Sequence, residues 1–142
     1  MAVGLVMLAS LWYVQAPPRS AGAYRERAAD AADALRSQVQ TTRIWLRTVT
    51  RDESTRQAAS VGFREAEEDA AAVAAAFEGY DPPSETDALR QAVSRAGDRT
   101  VASLAEVRIA AHRGEWQALP RRRDALAELA RRLEELEQQA QP

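Results

Sequence analysis

Cysteine, lysine and asparagine are absent from this chain, and histidine occurs once. Without cysteine there is no disulfide framework and no thiolate metal site, and the redox compartment stays open. Without lysine, all 19 basic residues are arginines. Alanine is the commonest residue, and this usage follows codons rich in G and C, the mark of a high-GC bacterial genome before it is a mark of chemistry. A dominant charge is missing too: 21 acidic against 19 basic residues leave a net charge of -2. Such a balance supplies no field to hold a polyanion, so nucleic acid is not an expected partner. The 142 residues suffice for one domain with one modest core.

Only one long apolar run is present. From Ala2 to Val14 the sole polar residue is Ser10, and Trp12 and Tyr13 stand where an interfacial aromatic belt would sit. At 1.5 Å per residue this run spans roughly 20 Å, short of a bilayer's hydrocarbon core of about 30 Å. It reads either as the tail of a signal anchor or signal peptide, or as a buried first helix. Its terminal position and the following Pro17 and Pro18 favour the membrane reading. Ala21-Gly22-Ala23 has the small-x-small form of a cleavage site but lies well beyond the run. Val14-Gln15-Ala16 is nearer, yet Pro17 would follow the cut, so an uncleaved anchor is expected. Arg19, Arg25 and Arg27 argue for holding the following chain in the cytoplasm, but if basic residues upstream of the run are missing, the comparison of its two flanks has lost one of its terms. The expected location is the cell membrane with the rest of the chain extracytoplasmic. Secretion after cleavage and the cytoplasmic face are the alternatives.

Past the prolines the pattern becomes helical. Tyr24, Ala28, Ala31, Leu35, Gln38, Thr42, Trp45 and Val49 recur at spacings of four and three, with Val39 and Leu46 widening the stripe. A polar turn and N-cap follow at Thr50-Arg51-Asp52-Glu53-Ser54. The second stripe is Ala59, Phe63, Ala66, Ala70, Val73, Phe77 and Tyr80, stopped by Pro82 and Pro83. Ser84 and Asp87 form a capping-box pattern opening a third helix with Leu89, Val93, Ala96, Thr100, Leu104, Val107 and Ala111 on one face. Gly97-Asp98 marks a candidate kink within it, and Gly114 ends it. Leu119, Leu126, Leu129, Leu133, Leu136 and Ala140 place the last helix in a heptad register, beginning near Glu115 or, more strictly, near Pro120.

These stripes predict an all-α protein: an N-terminal apolar helix acting as anchor (1–16), a linker (17–21), and an antiparallel four-helix bundle (22–142) with helices at 22–50, 54–78, 84–113 and 116–139. Short connections between helices of matched length make neighbours antiparallel. No unit of 20 to 50 residues repeats.

Reactive constellations are sparse. A di-iron bundle needs Glu-x-x-His, and the residue three before His112 is Ile109. Haem ligation is not expected, because Met1 and Met7 both fall in the apolar run. His112 at a helix C-terminus reads as an exposed capping residue. Glu65, Glu67, Glu68 and Asp69 point in different directions around a helix and read as a solvated face. Arg121, Arg122 and Arg123 read as a solvated first turn. No cofactor, metal or catalytic residue is therefore expected. Trp45, Trp116, Gln38 and Thr42 remain as candidate ligand or partner contacts, the last two because they interrupt an apolar stripe.

The segment Phe63-Arg64-Glu65-Ala66-Glu67-Glu68-Asp69 leading to Tyr80-Asp81-Pro82-Pro83, and Val107-Arg108-Ile109-Ala110-Ala111 before Trp116, resemble small actinobacterial secreted or membrane-anchored helical proteins of uncharacterised function. The resemblance implies an extracytoplasmic bundle and no known activity. The layout also resembles four-helix ligand-sensing modules of bacterial receptors, from which it departs in lacking a second membrane helix after Leu136. The expected function is a membrane-anchored, non-enzymatic interaction or scaffold module with a protein partner. The alternatives are a small-ligand-binding or sensor-like module, and a soluble homo-oligomer joined through the C-terminal helix.

Overall fold

The computed structural model describes residues 20–49 and 53–141, which form four long helices and two single 3-10 turns. Helix α1 spans Ala21–Thr48, α2 Glu53–Glu78, α3 Asp87–His112 and α4 Arg122–Ala140. The 3-10 turns at Ser84–Thr86 and Leu119–Arg121 lead into α3 and α4. The apolar run Ala2–Val14, the two prolines after it and the polar residues Thr50, Arg51 and Asp52 lie outside the described residues.

Helix ends follow local chemistry. Ser20 is extended, and its Oγ accepts a hydrogen bond from the Ala23 N–H at 3.2 Å, satisfying one of the orphan donors that open α1. The capping box expected from Ser84 and Asp87 does not form. Pro82 and Pro83 feed a 3-10 turn instead, so the α-helix starts at Asp87, three residues after the expected 84. Thr86 turns its hydroxyl back to donate to the Pro83 carbonyl at 2.7 Å, leaving no side-chain cap on the new helix. At the far end of α3, Gly114 has φ of +74°. Its N–H donates to the Ala111 carbonyl, and the Glu115 N–H reaches back to Ala110. This paired pattern closes a helix through a left-handed residue, which suits glycine. Glu115 to Pro120 then form turns, and α4 begins at Arg122 rather than 116, because Pro120 sits inside the preceding 3-10 turn.

The helices run up, down, up and down. Antiparallel order is fixed by contacts between elements: Tyr24 at the start of α1 packs its ring, tilted by 49° and 5.6 Å between centres, against Phe77 at the end of α2. Glu67 on α2 pairs with Arg108 late in α3, and Arg122 at the start of α4 pairs with Glu106 late in α3. Helix α1 packs closely on α2 and α4 and also reaches α3 across the bundle, while the α3–α4 seam is the thinnest.

Two contiguous groups of buried side chains fill the interior. One, around Tyr24, Ala28, Phe77, Val93, Leu136 and Ala140, lies at the end where the described chain begins, here the proximal end. The other runs from Leu35 and Leu133 through Phe63 and Leu104 to Leu46, Val107 and Leu119 at the distal end. Fully burying a leucine or phenylalanine contributes about 1.5–3 kcal/mol, so these stripes supply the main driving force. Gly97 produces no break in α3; it is buried where α3 crosses α2, and a Cβ there would lie 3.1 Å from the Ala74 Cβ. Close approach of two helices, rather than a kink, accounts for it.

Candidate functional site

Of the four residues expected to contact a ligand or partner, Thr42 is completely buried on α1, and its hydroxyl has no hydrogen-bond partner. Thr100, equally buried on α3, returns its hydroxyl to the Ala96 carbonyl at 2.8 Å. Gln38, one turn before Thr42, is half-buried at the edge of the stripe. Trp45 is also half-buried, and its indole lies over Gly62 of α2, where an added Cβ would come within 2.7 Å of Cε2 and 2.9 Å of Cδ1. Trp116 packs against the same distal core from the turn after α3, with the Arg56 guanidinium 5.5 Å from its ring centre. The fold thus brings both tryptophans to the distal end, with Gln38 and Thr42 one to two turns further in on α1. None of the four lines the three surface grooves described next.

A crease of about 210 Å3 follows the thin α3–α4 seam, floored by Ala92, Ala96, Leu133 and Leu136 and edged by Arg95, Arg99 and Arg132. A second, about 230 Å3, lies between α1 and α2 beside Ala34, Val73 and Phe77. At its edge Arg27 donates to the Tyr80 hydroxyl at 2.6 Å and stacks 4.4 Å from that ring's centre. A larger polar hollow, about 440 Å3, opens at the α2–α3 turn among Glu78, Asp81, Ser84, Asp87 and Arg90. Typical small-molecule sites are concave, mainly apolar and about 300–1,000 Å3. Both creases are smaller than that, and the hollow of adequate volume is polar.

The charged side chains divide into ties between helices and surplus. Arg36 of α1 lies 3.1 Å from Glu137 and 3.6 Å from Glu134, joining the first helix to the last. Glu67, in the cluster read as a solvated face, turns to Arg108 and joins α2 to α3. On α4, hydrogen bonds from Arg131 and Arg132 hold the Glu128 carboxyl at about 2, well below its ordinary 4.5. Burial pushes the Tyr24 phenol up from its usual value at the proximal end. His112 is exposed in the last turn of α3.

The surplus collects at the two ends. Arg47 closes α1, Arg113 follows α3, and Arg121 and Arg123 flank the start of α4; all four are exposed, and none forms an ion pair among the described residues. Antiparallel packing puts all of them at the distal end. The proximal end instead is richer in acid, with Glu26, Asp81 and Glu85 beside Glu78, which accepts from Ser94, and beside Asp87 and Glu135, which pair with Arg90 and Arg131; Arg25 and Arg27 lie at the same end. Reading Arg121, Arg122 and Arg123 alone misses this, because the other arginines come from separate stretches of chain.

Side-chain chemistry and fold together define an all-helical four-helix bundle with a packed interior and a polarised surface. No family model, no curated protein and no solved structure matches the chain.

Proposed function

We propose that this protein is a membrane-anchored, non-enzymatic helical bundle that displays an interaction surface outside the cytoplasm. The observation that carries the reading is the apolar run Ala2–Val14, joined within a few residues to the start of a packed four-helix bundle. Among the described residues no helix is long and apolar enough to cross a membrane, so the anchor in this reading is that run. An uncleaved anchor agrees with the local structure of α1. Ala21-Gly22-Ala23 forms its first turn, and a cut there would remove the Ser20 cap just ahead of the completely buried Tyr24. Losing such a cap costs about 0.5–2 kcal/mol.

Sedimentation of the full-length chain with membranes tests the reading. The protein should stay in the pellet after an alkaline wash that strips peripheral proteins, and deleting residues 2–14 should release it. Protease added to intact cells with a permeabilised envelope should digest the bundle. Recovery of the full-length chain in the soluble cytosolic fraction would reject the anchor, and protection from protease would reject the orientation.

A further inference from the structure

We infer that the distal end of the bundle is a docking surface for an acidic, partly apolar protein surface. This deepens the proposed function by giving its partner a chemistry, and it rests on that reading for the distance from the bilayer. Three observations carry it.

The charge is segregated along the axis although the chain as a whole carries only -2. Exposed Arg47, Arg113, Arg121 and Arg123 share the distal end, with the exposed carboxylates of Glu115 and Asp124 at the same end. Glu106 is already occupied by Arg122.

Stability of the fold accounts for only part of the placement. Arg47 and Arg113 sit favourably at helix C-termini and Arg122 is paired with Glu106, but Arg121 and Arg123 crowd the N-terminus of α4. A cation there opposes the helix dipole. Adjacent like charges add repulsion. A carboxylate-bearing partner relieves both.

Apolar side chains are exposed at the same end of the bundle, on opposite sides of it. Ile44 is 58% exposed near the end of α1, and Ile109 is 38% exposed in the last turn of α3. Trp116 is half-buried in the turn between them and α4. Arginine and tryptophan are enriched at protein interfaces, whose cores also need apolar contact. A phosphate polymer offers nothing to Ile44 and Ile109. A lipid surface is disfavoured by geometry, because the 28 residues of α1 hold the distal end about 42 Å from the anchored end at 1.5 Å per residue.

The test uses the full-length chain in neutral detergent and two labelled probes, followed by fluorescence anisotropy. One is a peptide of glutamates interspersed with leucines; the other is inorganic polyphosphate. The peptide should bind with an affinity that falls as salt rises, since exposed charges are screened within about 10 Å at 0.1 M. Reversing Arg113, Arg121 and Arg123 together to Glu should weaken it at least roughly tenfold, whereas reversing Arg25, Arg95 and Arg99, an equal change in net charge, should leave it within roughly twofold. Should the triple reversal lose its helical circular dichroism, the Arg→Gln triple at the same three positions serves, with the same direction of effect. Equal losses from both triples would make the effect one of net charge and overturn the proposal, as would no binding. Tighter binding of polyphosphate than of peptide at the distal end would also overturn it. Self-association of the untreated chain that the distal triple abolishes would assign the surface to a second copy instead. None of these outcomes depends on where the protein sits in the cell, so failure here and failure of the anchor are separate results.

Discussion

Gly62 is the residue on which the distal packing of α1 against α2 turns. The indole of Trp45 occupies the space a side chain would need, with ring carbons 2.7 and 2.9 Å from the position of an added Cβ. Gly62→Ala gains about 1 kcal/mol of helix propensity but overpacks a rigid ring, which typically costs about 1–3 kcal/mol. The substitution should lower the urea midpoint and shift tryptophan emission to the red as the indole moves towards solvent. Gly97→Ala, facing the Ala74 methyl at 3.1 Å and the Leu35 Cδ1 at an ordinary 3.9 Å, should stay within about 1 kcal/mol of the parent, because the propensity gain offsets the tighter contact. Neither glycine's role follows from its neighbours in sequence. Gly62 precedes Phe63 in an ordinary-looking helix, and only the crossing of α1 supplies the reason for it. Thr42 is similar: polarity in an apolar stripe drew attention to it as a contact, whereas burial puts it inside the bundle with an unpartnered hydroxyl.

Helix α4 shows how charge and burial divide along one element. Its heptad leucines are all inside the bundle, from Leu126 at 1% exposure to Leu136 at 8%, so joining two copies through them would require the bundle to open. Its outer face carries Glu128, bonded by Arg131 at 2.7 Å and Arg132 at 2.8 Å. Because the folded state holds this carboxyl at about 2 against an ordinary 4.5, its contribution is fully present above pH 4.5 and disappears as pH falls towards 2. Glu128→Gln should therefore flatten the fall in denaturation midpoint across that window, measured by circular dichroism in urea, and the effect should be small at this exposed site. The stripes that place the elements were legible, because apolar side chains spaced by three and four must share a face and that face must be hidden. Gln38, Trp45 and Val49 are only half-buried because Val39 and Leu46 take the centre of the α1 stripe. The entrances to α3 and α4 were not legible, since proline fixes where a helix cannot continue but not whether a 3-10 turn precedes the next one.

At the scale of the molecule, α1 is the hub. It touches every other helix, and its most extensive partner is α4, the last to be made. Ending the chain before Leu119 should therefore remove more than one helix's worth of signal: α1 would lose the burial of Leu35 and Val39 against the leucines of α4, and the cooperative unfolding transition should broaden or vanish in circular dichroism. The distal gathering of arginines also belongs to this scale, since Arg47, Arg113 and Arg121 come to one end of the bundle only through the up-and-down order of the rods. That order has a topological corollary. Tyr24 and Ala140 belong to one buried group, so the first and last turns of the bundle open side by side. A short peptide joining Gln141 to Ser20, with new termini cut at Gly114, should give a circular permutant with the same interior. In such a molecule, a membrane tether fused to the new amino terminus would turn the bundle upside down and press its arginine-rich cap against the lipid.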